Sequence, residues 1–74
     1  MKKIGDFLLF EQKFVDYGET ATAMVKIDDI ISISEICEKH VGNCIILTTT
    51  LETTFIVAGN PEDVWIDLVK ILGT

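Results

Sequence analysis

Residues 53 to 72, TTFIVAGNPEDVWIDLVKIL, spell out a strand, a tight turn and a capped helix without interruption. Asn60 is a suitable N-cap, because its side-chain oxygen can accept from a free amide of the first turn. Pro61 follows at the first helical position, where its missing N–H costs nothing. Glu62 and Asp63 place negative charge at the positive end of the helix dipole. Lys70 falls in the last turn and Gly73 just beyond it, as a helix stop requires. The chain therefore ends in one helix, residues 62–72, fed by a strand.

That helix is apolar around much of its circumference. At 100° per residue, Val64, Leu68, Ile71 and Leu72 form the stripe that an ordinary surface helix needs. Trp65 and Val69 widen its edge, and Ile66 falls outside it. Two readings follow. Trp65 broadens the contact with the sheet, or Trp65, Ile66 and Val69 form a contact between copies of the chain, since aromatics and sparse charge mark interface cores.

Upstream, the pattern is that of short strands. Residues 20–27 alternate, with Ala21, Ala23, Val25 and Ile27 on one side and Thr20, Thr22, Met24 and Lys26 on the other. Asp28-Asp29 breaks the run. Residues 30–37 alternate again, Ile31 and Ile33 against Ser32 and Ser34. Residues 44–50 and 53–58 are β-branched and aliphatic, separated by a reversal at Leu51-Glu52 that lacks glycine. Residues 6–15 fit either a helix, with Phe7, Phe10 and Phe14 in a stripe, or a strand. Aromatic content and the Asp16-Tyr17-Gly18-Glu19 turn signal favour the strand. Short connections imply antiparallel neighbours. The expected fold is α+β: a small curved antiparallel sheet of about five strands with one C-terminal helix, in a single domain of residues 1–74.

Seventy-four residues, 49% of them hydrophobic, exceed what one small core hides easily. Small chains compensate with disulfides, metals or self-association; the greasy helix favours a homo-oligomer. Lysine supplies all six basic residues against twelve acidic ones, a formal charge of −6. Phosphate-backbone binding requires clustered cations, so nucleic acid is not an expected partner. The N-terminal apolar run is too short for a signal peptide, and no stretch approaches a membrane span. A cytoplasmic protein is expected.

Cys37, His40 and Cys44 are the one cluster of soft ligands. A tetrahedral zinc site needs a fourth ligand, and the chain has no further Cys or His. Two thiols of a reducing compartment, opposite each other near the ends of a hairpin, explain the pair more simply. No metal or cofactor is expected. Catalysis has little support: one histidine lies in a turn, Ser32 and Ser34 read as the polar face of a strand, and Asp28-Asp29 reads as a solvated turn. The five glycines fall at element boundaries rather than in a phosphate loop. Thr48, Thr49, Thr50, Thr53 and Thr54 straddle one reversal. Cross-strand threonine pairs stabilise exposed sheet faces; alternatively Thr48, Thr50 and Thr53, with Lys26 or Tyr17, offer a hydroxyl-rich surface to a small polar ligand.

The spacing of Ile27, Ile30 and Ile33, then Ile45 and Leu47, then Phe55 and Val57, then Glu62-Asp63-Val64 resembles the FlbD-like flagellar-operon proteins. It also resembles a set of small uncharacterised proteins of phages and mobile elements. The resemblance covers roughly residues 25 to 72, and Leu51-Glu52 stands where those proteins usually have a hairpin glycine. It implies the β-rich fold with a terminal helix and a non-enzymatic role. The expected function is a self-associating binding module that engages a partner protein or sequesters a small ligand, as a phage or mobile-element inhibitor of a host factor would. The alternatives are an acidic mimic of nucleic acid acting on a basic enzyme, and a small metal-binding enzyme.

Overall fold

The computed structural model describes residues 1–14, 18–39 and 42–73, with residue 38 described by its backbone alone. Among the described residues, six strands and one helix follow in order: β1 Lys2–Ile4, β2 Phe7–Lys13, β3 Thr20–Lys26, β4 Ile30–Glu38, β5 Gly42–Thr49, β6 Thr54–Val57 and α1 Pro61–Leu72. A single 3-10 turn, Ile27–Asp29, joins β3 to β4. The α+β class, the antiparallel sheet and the terminal helix stand as the sequence implied. The strand β1 is additional. It folds back on β2 through a two-residue loop whose first position, Gly5, has a φ of 58°, a conformation that glycine adopts without a Cβ penalty.

Every pairing is antiparallel. β2 is the hub. β3 lines it over its full length, from Phe7 opposite Lys26 to Lys13 opposite Thr20. The other edge of β2 is shared: β1 pairs with positions 7 to 9, and β6 touches it at Gln12 opposite Val57. β6 then pairs with β5, and β5 with β4. The sheet stays open: among the described residues, β1, β3 and β4 each pair with one strand alone.

The sheet also curls. The Gln12–Val57 register puts Phe10 opposite residue 59 and Phe55 opposite residue 14. Yet the rings of Phe10 and Phe55 meet edge to face with centroids 5.7 Å apart, so inward side chains converge across a bent surface. The 3-10 turn is pinned to both halves: Ile27 N donates to Asp6 O, and Thr50 N to Asp29 O, each at 2.8 Å.

Alternation sorts the side chains. Leu8, Phe10, Val25, Ile45, Leu47 and Val57 point inward and are buried, and Val64 and Leu68 of α1 close the core over them. Each fully buried aliphatic contributes about 1.5–3 kcal/mol relative to exposure. Ala21, Ala23 and Val25 lie on the inward side as expected. In β4 the expected face is corrected. The register slips between Ile30 and Ser32, so Ile31 is an extra residue and stands 61% exposed. Ile30 and Ile33, not Ile31 and Ile33, pack on the core.

The helix is capped as read. The Asn60 side chain accepts from Glu62 N at 2.9 Å. Val64 and Leu68 are buried, Ile71 and Leu72 half-buried. No helix among the described residues is long and apolar enough to cross a membrane.

Candidate interaction site

The helix turns one flank toward edge strand β4. Trp65 is half-buried and packs on its own core, and its indole N–H donates to Glu35 Oε1 at 2.8 Å. Glu35 lies opposite Ile45 in the register, so it shares the inward side of the sheet at its open margin. Trp65 therefore does what the first sequence reading allowed: it widens the contact between helix and sheet. Ile66 and Val69 remain outside, 49% and 67% exposed. An apolar groove of about 310 Å³ runs between Ile33 and the helix, lined by Trp65, Leu68, Val69 and Leu72.

A second apolar surface lies on the sheet. Because Leu8 and Val25 point inward, their neighbours point out. One outward row is Ile4, Phe7 and Lys26; the next is Lys2, Leu9 and Met24. Ile4, Phe7 and Met24 are 45%, 40% and 53% exposed. The sequence reading did not single out this patch. Its signal was present: Phe7 and Leu9 are apolar on the odd positions of β2 while Leu8 and Phe10 are apolar on the even ones, so both faces of β2 are hydrophobic.

The threonine cluster divides. Ser32, Thr48 and Thr54 form one cross-strand row of hydroxyl side chains over β4, β5 and β6, on the side away from the core. Thr49 is buried instead, and its Oγ1 and its amide both reach Thr53 O, at 3.4 and 3.0 Å. Thr50 and Thr53 are exposed at the reversal. Lys26 lines a separate hollow with Phe7, Met24, Asp29, Thr49 and Leu51; Thr48, Thr50 and Thr53 are not in its walls. Tyr17 lies outside the described residues. Thr50 N donates to Asp29 O at 2.8 Å, which places the reversal beside the hollow that Lys26 lines.

The cysteines are also not where the hairpin argument put them. Cys37 stands opposite Asn43, and Cys44 opposite Ile36. A one-residue offset sends their side chains to opposite faces; Cys37 is exposed and Cys44 buried, and neither is disulfide-linked. The two sulfurs are not placed to meet at one ion. His40 lies outside the described residues, and among those described no three His, Cys, Asp or Glu side chains converge as a metal site would need.

Comparison of the chain with protein-family models, with curated proteins and with solved structures finds no match to any of them.

Proposed function

We propose that the chain is a non-enzymatic binding module that works as a homo-oligomer and engages a partner protein or a small ligand. The observation behind this reading is the apolar surface left outside a completed core. Ile66 and Val69 on α1, and Ile4, Phe7 and Met24 on the sheet, are each 40% exposed or more, although Leu8, Ile45 and Leu47 are fully enclosed. Contiguous exposed apolar patches rimmed by polar residues are the mark of protein contacts. The resemblance to FlbD-like proteins, through Ile27, Ile30, Ile33 and the Glu62-Asp63-Val64 helix start, implies a role that asks no side chain to do chemistry. Static light scattering at micromolar concentration tests the reading: a mass at a multiple of 8.2 kDa is expected, and a clean monomer ends it.

A further inference from the structure

The charge of this chain is divided along its length. Residues 1–26 hold four lysines and four carboxylates, and are neutral; residues 27–74 hold two lysines and eight carboxylates, the whole of the −6. The fold converts this division into two unlike apolar surfaces. On the outward side of β1, β2 and β3, the exposed Ile4, Phe7 and Met24 alternate with Lys2 and Lys26, and Lys13 lies farther along β2. Its carboxylates are Glu11, which accepts from Thr22 Oγ1 at 2.7 Å, and Asp29, which shares the hollow of Phe7, Met24 and Lys26 at one end of the face. On the outward side of α1, Ile66 and Val69 are neighbours three residues apart. Glu62 and Asp63 sit one turn before Ile66 and are exposed. Glu35 stands at the adjoining edge, held by Trp65, and Lys70 is the one cation of this side of the helix.

A two-fold contact of either surface with its own copy brings together patches of the same prevailing sign: at the helix Glu62, Asp63 and Glu35 outnumber Lys70, and at the sheet Lys2, Lys13 and Lys26 outnumber Glu11 and Asp29. Each meeting the other sets lysines against carboxylates around an apolar centre, which is the arrangement that favours association and excludes wrong pairings. We propose that the occupant of both surfaces is a second copy of this chain, with the lysine-rimmed face of β1–β3 docked on the outward face of α1 of the next copy, head to tail. Such a contact is heterologous, so it closes into a ring or continues as a fibre. The proposal rests on the self-association reading and specifies its geometry.

Two exposed-surface variants test it. Lys2→Glu with Lys26→Glu disables the sheet face; Ile66→Glu with Val69→Glu disables the helix face. Each alone is expected to run at the single-chain mass of 8.2 kDa, with an unchanged circular dichroism spectrum. Mixed in equal amounts they retain one live pairing, the intact sheet face of one on the intact helix face of the other. The mixture is then expected to show a 1:1 species of twice the chain mass, and nothing larger. A two-fold dimer through the helix would leave the lysine variant at the parent mass. One through the sheet would leave the Ile66/Val69 variant there. Either result overturns the head-to-tail contact while self-association survives, as does a mixture that stays monomeric. A monomeric parent overturns both readings.

Discussion

Glu52 holds a φ of 61°, the left-handed region that side chains with a Cβ enter at a cost. Its position explains why. Glu52 N donates to Thr49 O, and Thr49 N donates to Thr53 O, at 2.9 and 3.0 Å. The reversal between β5 and β6 is therefore a three-residue loop ending in a left-handed residue, the site that hairpins of this length usually give to glycine. The missing glycine was legible in the sequence, at Leu51-Glu52; which of the two residues would take the strained conformation was not, because the loop's hydrogen bonds decide it. Glu52→Gly is expected to raise stability by about 0.5–1 kcal/mol, the relief of strain less the entropy that glycine adds to the unfolded chain. Urea denaturation monitored by Trp65 fluorescence measures it. A loss of stability would mean that the Glu52 side chain contributes more than its backbone conformation costs.

Among the elements, α1 was readable nearly to the residue, since its cap, first-turn acids and stripe are all local signals. The hairpins were readable because turns and alternation agree. The 3-10 turn and the bulge were not. Ile27, Ile30 and Ile33 recur every three residues, a spacing that fits neither a strand nor a full helical face. The structure resolves it: a 3-10 turn carries Ile27, and one extra residue at Ile31 restores the inward side for Ile33. All three isoleucines pack on the core. β1 escaped notice for a different reason. Its three residues are all exposed, so no alternation announces them. The bulge makes a sharp contrast between neighbours. Ile31→Lys is expected to change stability by less than about 0.5 kcal/mol, as surface substitutions do. Ile33→Lys, which would drive a cation against the core, is expected to cost roughly 1–3 kcal/mol. Thermal unfolding of the two variants side by side decides the register: equal losses would place both side chains on one face, as plain alternation has it.

The molecule as a whole is well condensed. Its radius of gyration is 11.6 Å, against about 11 Å for a compact chain of this length. Its accessible surface of 4923 Å² still exceeds the roughly 4,500 Å² of a compact monomer of this mass. The apolar groups outside the core follow from the sequence pattern: β2 is hydrophobic on both faces, and α1 keeps Ile66 and Val69 outward. The sequence announced the helix surface through its unusual circumference of apolar residues. It hid the sheet surface, because that one exists only once β1, β2 and β3 are in register. The proposed self-association would stabilise the fold by mass action, since association draws only on the native form. The midpoint of thermal unfolding should therefore climb with protein concentration, by roughly 5–10 °C over a hundredfold range for a chain of this size. High salt should reduce that climb by screening the lysine–carboxylate rims, and leave the apolar centre in place. Differential scanning calorimetry at two concentrations and two salt levels reads both effects. A midpoint indifferent to concentration would show that the exposed isoleucines, Phe7 and Met24 stay in water, and that the core enclosed by Leu8, Ile45 and Leu47 suffices for the fold.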